Sequence, residues 1–130
     1  MITADEFAVF QNAGYMGLYG GMTVDDIHRK KNLEVGQKIL DYMGSTELIA
    51  NLFRISQTEE KLRKDSVNSA DTATAVHYKV GSGVREAIEK IGGTMPEDLP
   101  TPEKSIAQLE KEQLQRLKQQ ASDGQLMLDE

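Results

Sequence analysis

Few side chains in this sequence have the type and spacing that catalysis or metal binding requires. Asp25, Asp26 and His28 lie close together on a predicted short helix. A helix does not direct positions i, i+1 and i+3 at one point, so these residues do not predict a metal site. For His77 we expect packing or solvent contact, because a general base needs an orienting carboxylate and a nucleophile that the sequence does not place beside it. We therefore expect a protein that is not an enzyme, with no catalytic residue, metal ligand or cofactor.

The glycine-rich stretch 14–21 is the next candidate for chemistry. It lacks the Gly-Lys-Ser/Thr ending of a phosphate-binding loop and the preceding strand of a dinucleotide fingerprint. We expect its glycines to end the first helix near Asn12, because each glycine destabilises a helix by about 1 kcal/mol. Tyr15 and Tyr19 are then either anchors of a contact surface or rings packed over the core.

Three consecutive basic residues, Arg29, Lys30 and Lys31, are the candidates for contact with nucleic acid. They also stand at a predicted helix C-terminus, where the helix dipole favours positive charge without any ligand. The chain has a formal net charge of −6, and neutralisation of phosphate dominates nucleic-acid binding. We therefore expect a protein partner rather than DNA or RNA.

Composition limits the fold and the cellular compartment. The 130 residues contain 38% hydrophobic and 5% aromatic residues and no Trp, which favours a helical domain with polar extensions. The absence of Cys fits a reducing cytoplasm, and we expect a cytoplasmic protein. No export signal and no apolar run of about 18 residues occurs, so no membrane insertion is predicted.

The predicted fold is all-α, with a compact domain of four to five helices, a Pro-rich hinge and a charged C-terminal helix. The domain is expected over 1–95 and the hinge over 96–102, where three prolines disfavour a helix. An amphipathic helix over 103–120 follows, with Thr101 as its N-cap. Residues 121–130 are expected to form a disordered acidic tail.

Capping signals give the start of each helix in the domain. Residues 3–6 form a Thr-x-x-Glu capping box, and Thr23 begins a second helix. We expect a third helix over about 32–43, which Gly44 ends in a left-handed conformation. Ser45 is then the predicted N-cap of the fourth helix.

The segment 44–63 holds the densest apolar run, with Leu48, Ile49, Leu52, Phe53 and Ile55 at helical spacing. We expect this face to be the centre of the core. Phe53 should be the residue whose loss destabilises the domain most. The full predicted core comprises Phe7, Phe10, Leu40, Leu48, Leu52, Phe53, Val80, Val84 and Ile88.

A further helix is predicted over 73–91 from an apolar stripe at spacings of three and four. Tyr78 and Arg85 fall on its opposite face and are candidates for an exposed partner contact. Gly81 and Gly83 indicate either close approach of another backbone or a break in the helix.

The C-terminal helix carries a thin apolar stripe formed by Ile106, Leu109, Leu114 and Leu117. This stripe either folds back on the domain or pairs with the same helix of a second chain. We expect a homodimer.

Six stretches carry a family resemblance: 14–21, 26–28, 39–48, 51–54, 57–62 and 92–106. Their residues resemble the C-terminal region of the DNA-damage-inducible protein D family. The resemblance runs over most of residues 1–110.

Membership of that family implies a role in the bacterial SOS response, as a modulator of the RecA recombinase filament that acts through protein contacts. The antirepressor-type N-terminal domain of the Bro-N kind, which the family usually carries, is missing from this sequence. The alternative is a fragment of an antirepressor-type regulator that binds nucleic acid. The family offers no catalytic motif to transfer.

The tail contains a second, shorter resemblance. Gln125, Leu126 and Leu128 match the peptide by which bacterial replication and repair proteins dock on the sliding clamp. Asp129 stands where that peptide usually has an apolar residue. Alternatively, the leucines fold back onto the domain or have no binding role.

Overall fold

The computed structural model describes residues 2–122, and these form a helical fold. Five α-helices and two 3-10 turns occur in this range, without a strand, so the all-α prediction is confirmed. The helices are α1 (Ala4–Leu18), α2 (Val24–Lys30), α3 (Ser45–Lys64), α4 (Ala70–Lys90) and α5 (Ile106–Ser122), and the turns are Ile39–Asp41 and Pro96–Asp98.

Side-chain caps begin α1, α2 and α4. Thr3 and Glu6 form the predicted capping box of α1, and Thr23 and Asp26 form a second one at α2. The Ser69 hydroxyl accepts a hydrogen bond from a backbone N–H in the first turn of α4. These bonds satisfy amides that have no partner within the helix, which explains why the helices begin at these residues.

Three predictions about helices in the first half of the chain are wrong. Helix α1 does not end near Asn12 but continues to Leu18. No third α-helix covers 32–43, because Asn32 (φ 56°) and Gly36 (φ 89°) adopt left-handed conformations that a right-handed helix excludes. Gly44 is the N-cap of α3 rather than a left-handed helix end.

The C-terminal helix begins later than predicted. Its first residue is Ile106, and the Ser105 hydroxyl accepts a hydrogen bond of 3.1 Å from the backbone N–H of Gln108. Gln108 Oε1 in turn accepts one from the backbone N–H of Ser105. This Ser-x-x-Gln capping box replaces the predicted cap at Thr101.

Helices α1 and α4 pack backbone against backbone through glycines. A Cβ on Gly17 would lie 2.3 Å from the carbonyl oxygen of Tyr78, and one on Gly81 would lie 2.7 Å from that of Gly14. Of the two alternatives for Gly81, close approach is correct, and α4 is unbroken through this position. The glycines of α1 remain helical because packing against the α4 backbone stabilises the helix at positions where a side chain would clash.

The buried apolar core lies between α1, α2, α4 and the 3-10 turn at Ile39. Its fully enclosed members are Leu18, Tyr19, Ile27, Ile39, Met43 and Val84, with Leu40, Leu48, Val80 and Ile88 packed against them. The predicted core is therefore correct for these last four residues and Val84. It is wrong for Phe7, Leu52 and Phe53, which are exposed.

Helix α5 has no buried residue. Its apolar stripe is partly open to solvent at Leu109, Leu114 and Leu117. An ion pair between Lys104 and Glu112, with N and O 2.7 Å apart, joins its first turns to the preceding segment.

Candidate functional site

Helix α3 presents an apolar surface to solvent. Ile49, Leu52 and Phe53 are 66%, 50% and 53% exposed, and they lie together at positions i, i+3 and i+4. We name these three residues the α3 apolar face. Isolated exposed apolar residues are common on proteins, whereas a contiguous patch on a regular helix is typical of a binding surface.

The opposite face of α3 is polar and buried. Glu47, Asn51, Arg54 and Thr58 are each at most 1% exposed and repeat at i, i+4, i+7 and i+11. The helix therefore points its polar stripe inward and its most apolar stripe outward, the reverse of the usual arrangement. We name the inward residues and their partners the polar network.

Glu47 forms one end of the polar network. Its carboxylate accepts a short hydrogen bond from the Tyr19 hydroxyl and one of 3.0 Å from Lys31 Nζ. The same Lys31 ammonium donates to the carbonyl oxygens of Pro96 (2.8 Å) and Leu99 (2.5 Å). This ion pair is almost completely removed from water, and it ties α1, α2, α3 and the Pro-rich segment together.

Asn51 joins the two ends of the network. Its amide nitrogen donates to the Tyr19 hydroxyl oxygen and to the Glu47 carbonyl, both at 3.0 Å. Its amide oxygen accepts from Arg54 Nη2 at 2.8 Å. Burial and the neighbouring Glu47 carboxylate raise the pKa of Tyr19, so its hydroxyl remains a proton donor.

Arg54 and His77 form the other end. Arginine has only donors, so Arg54 Nη1 donates to His77 Nε2 at 2.6 Å, and His77 Nδ1–H donates to the Phe10 carbonyl at 2.8 Å. Both ring nitrogens are thereby assigned, and the imidazole is neutral. Burial, followed by the adjacent Arg54 cation, lowers the pKa of His77 to about 4. The Arg54 guanidinium also lies 4.5 Å from the centre of the Tyr15 ring.

The four predicted contact residues of the domain lie in different environments. Tyr19 is buried in the polar network and Tyr15 is half-buried under Arg54, so the interior alternative holds for this pair. Tyr78 is exposed on α4. Arg85 is largely enclosed, because its guanidinium forms a two-point ion pair with Glu97, with both N–O distances 2.8 Å. The expectation that Arg85 is exposed is therefore wrong.

The three basic candidates do not form one surface. Lys31 is buried in the polar network and cannot reach a phosphate. Arg29 is paired with Asp26, and Lys30 Nζ lies 3.7 Å from an Asp98 oxygen. The predicted basic cluster is thus divided between the interior and the surface.

The tail motif, metal binding and membrane insertion are considered next, with residues 2–122 as the described part of the chain. Gln125, Leu126 and Leu128 lie outside the described residues. Within residues 2–122, no group of three or more His, Asp or Glu side chains could hold a metal ion. No helix in that range is long and apolar enough to cross a membrane.

The polar network was missed by the sequence reasoning, although its signal is present. Glu47, Asn51, Arg54 and Thr58 repeat with the spacing of one helical face. Their periodicity could indicate a shared face, but not whether that face is buried. The partners Tyr19, Lys31 and His77 are distant in sequence and carry no such signal.

The arrangement defines a small helical domain with a hydrogen-bonded polar interior and an apolar outer helix face. Comparison with known proteins identifies it further. A family described as the DinD C-terminal domain matches residues 1–109, and the chain belongs to this family. The chain is also 61% identical to DNA damage-inducible protein D of Escherichia coli (strain K12) over 108 residues.

The matched region covers 83% of this chain and 39% of that relative, as its C-terminal part. The chain therefore spans well under half of the relative's length. No solved structure gives a significant match. The family resemblance inferred from the sequence is confirmed.

Proposed function

We propose that this chain is a non-catalytic interaction domain of the bacterial DNA-damage (SOS) response, which modulates the RecA recombinase filament from the cytoplasm. The observation that carries the proposal is the α3 apolar face, formed by Ile49, Leu52 and Phe53. Membership of the DinD C-terminal domain family, and a relative named for its induction by DNA damage, support the cellular context.

The polar network supports this proposal because it fixes which face of α3 points outward. A half-turn rotation that buried Phe53 would move Arg54 and Asn51 towards water and break their hydrogen bonds to His77 and Tyr19. Buried polar groups without partners are strongly disfavoured, so the interior holds the apolar face at the surface. A rigid helix face of this kind suits binding to a groove on a partner protein.

A protein partner also suits the charges better than the alternative of an antirepressor-type nucleic-acid binder. The formal net charge is −6, and Lys31, one of three candidate phosphate contacts, is occupied by Glu47. The two classes differ in salt dependence, because phosphate contacts make affinity fall steeply with ionic strength. Strong DNA binding by this chain with a steep salt dependence would contradict the protein-partner proposal.

The proposal is tested by binding to RecA filaments on single-stranded DNA, measured by co-sedimentation of the labelled 130-residue chain. Leu52→Asp places a charge in the centre of the α3 apolar face and should weaken binding at least about tenfold, or about 1.4 kcal/mol. Val35→Asp introduces the same charge at another fully exposed apolar position and is the matched control.

Equal losses from the two variants would indicate a general charge effect and remove α3 as the contact. If the wild-type chain does not bind RecA filaments, RecA is not the partner. Circular dichroism of both variants confirms that each remains folded before the comparison is made.

We also propose that the chain forms a homodimer through α5, whose leucines at 109, 114 and 117 are partly exposed. Removal of residues from Thr101 onward should convert the dimer to a monomer in sedimentation experiments. A wild-type monomer at about 50 μM, a concentration at which weak interfaces are populated, would contradict this proposal.

Binding of Gln125, Leu126 and Leu128 to the sliding clamp is a separate proposal that does not involve α3. A labelled peptide of residues 121–130 should bind clamp and lose binding when both leucines are replaced by Ala. No binding at about 100 μM would remove the proposal.

A further inference from the structure

The buried charges of the domain do not balance. Lys31 and Glu47 compensate each other through an ion pair of 3.0 Å. Arg54 is 1% exposed and has no Asp or Glu oxygen within ion-pair distance among the described residues. Asn51 and His77, its hydrogen-bond partners, are both neutral, and its buried Nε has no acceptor. A buried arginine normally has a carboxylate or phosphate partner, so this cation lacks its preferred counter-charge.

A cavity of about 160 Å³ lies beside this arginine. It is bounded by α1, the 3-10 turn, α3 and α4, and both Arg54 and His77 contribute to its lining. Its apolar walls include Phe10 and Ile55, and Phe10 lies over the His77 ring with the two ring centres 4.3 Å apart. The cavity therefore combines apolar walls with one uncompensated buried cation.

The one carboxylate among the described lining residues does not balance that cation. Glu59 is exposed, and its oxygen lies 3.9 Å from an Arg63 nitrogen on the next turn of α3. It therefore belongs to the outer surface of the helix. Burial lowers the pKa of Arg54, as expected for a cation that lacks a counter-ion.

We propose that this cavity is a binding site for a small apolar carboxylate, whose acidic group pairs with Arg54 and whose apolar group fills the space between Phe10 and Ile55. The volume suits one six-membered ring, since a cavity of about 150 Å³ holds benzene. The carboxylate is either that of a free acid or the C-terminus of a peptide, because both present the same chemistry. The site does not depend on the proposed RecA contact, because no residue of the α3 apolar face lines the cavity.

The test is a calorimetric titration of the 130-residue chain with phenylacetate and with phenylacetamide, a neutral molecule of nearly the same shape. Phenylacetate should bind in a saturable manner with a dissociation constant below about 1 mM, and the amide at least about tenfold more weakly. Equal binding of acid and amide would overturn the role of Arg54. No binding of phenylacetate at about 10 mM would overturn the site.

A pair of matched variants locates the binding. Ile55→Trp fills the cavity and should abolish phenylacetate binding, whereas Val35→Trp introduces the same ring at a fully exposed position outside both proposed sites and should leave it unchanged. Binding that survives Ile55→Trp would place the ligand elsewhere and refute the assignment. If Ile55→Trp does not fold, the binding site is located instead by NMR titration of the wild-type chain, observed at the His77 ring signals. His77 signals that do not shift with phenylacetate would refute the assignment.

A second titration distinguishes the two sources of the carboxylate. A short peptide ending in Phe with a free C-terminus is compared with the same peptide carrying a C-terminal amide. Binding of the free acid alone, without binding of the peptide, identifies a small-molecule site. Stronger binding of the free-ended peptide identifies a peptide C-terminus as the ligand.

Discussion

Two regions of the interior are built differently. The contact between α1 and α4 is made by backbone atoms, whereas the inward face of α3 is made by long side chains. At the first contact, Gly17 and Gly81 remove side chains altogether, so that two helix backbones touch. At the second, long polar side chains fill the interior, where Glu47 accepts a hydrogen bond from Tyr19 and Arg54 donates one to His77. The first arrangement is stabilised by close packing, and the second by hydrogen bonds between buried polar groups, among which Arg54 Nε alone lacks a partner in the described residues.

This difference determines how each region fails. A glycine contact tolerates no added volume, because the neighbouring atoms are backbone atoms that cannot move independently. A polar network tolerates no lost partner, because the groups left behind are buried without water.

The largest effect is expected from Glu47→Ala. This change leaves the buried Lys31 ammonium with only carbonyl partners and removes the acceptor of the Tyr19 hydroxyl. Breaking a buried ion pair by removing one partner destabilises proteins by about 3–5 kcal/mol. Urea unfolding followed by circular dichroism measures the loss.

The control for Glu47→Ala removes both charges together. Lys31→Met combined with Glu47→Leu leaves neither member of this ion pair without its partner, and buried pairs replaced in this way often retain full stability. The double variant should be clearly more stable than Glu47→Ala. A double variant that is equally unstable would show that the ion pair is not the source of the effect.

The next effect concerns His77 and pH. Its pKa is about 4 in the folded chain and about 6.5 in the unfolded chain, so the unfolded state binds the proton first as pH falls. Its contribution to stability is complete above pH 6.5 and falls progressively between 6.5 and 4. A difference of this size corresponds to roughly 3 kcal/mol over the whole window. Unfolding free energies measured at half-unit pH steps give the slope.

Subtraction of a His77→Gln variant isolates this residue. The carboxylates with lowered pKa, Asp26, Asp65 and Glu97, lose their contribution mainly below their ordinary range, near pH 4 and lower. The variant should therefore show a flatter profile between pH 6.5 and 4.5. Identical slopes in the two proteins would mean that folding does not change the pKa of His77.

The glycine contact gives the third effect. In Gly81→Ala the new Cβ meets the Gly14 carbonyl oxygen at 2.7 Å, and overpacking of this kind typically destabilises by about 1–3 kcal/mol. Gly83→Ala on the same helix enters open space and should stabilise by up to about 1 kcal/mol through helix propensity. Thermal unfolding of both variants should therefore shift in opposite directions. Two shifts of the same sign would contradict the backbone contact.

Much of the fold could be predicted from local signals, because caps and helix periodicity act within a few residues. The capping box at Thr3 and the start signal at Thr23 placed two helix starts correctly. The glycines of α1 misled the prediction because their helical state depends on α4, which lies some sixty residues later in the chain. The orientation of α3 could not be predicted from its pattern, since both of its faces are periodic and only distant partners decide which is buried.

The smallest effect on stability is expected from Phe53→Ala. The sequence pattern predicted that this change would be the most damaging, at the 3–5 kcal/mol typical of a buried Phe. Phe53 is 53% exposed on the α3 apolar face, so its loss should destabilise by about 1 kcal/mol or less. Urea unfolding of the purified chain measures the change.

Arg54→Ala is the matched comparison, because Arg54 is the next residue along the chain and lies on the opposite face of α3. It leaves His77 and Asn51 without their buried donor, so it should destabilise far more than Phe53→Ala. A large loss from Arg54→Ala and a small loss from Phe53→Ala are the results expected for a helix that buries its polar face. Equal losses, or a larger loss from Phe53→Ala, would mean that α3 is rotated and that its apolar face belongs to the core.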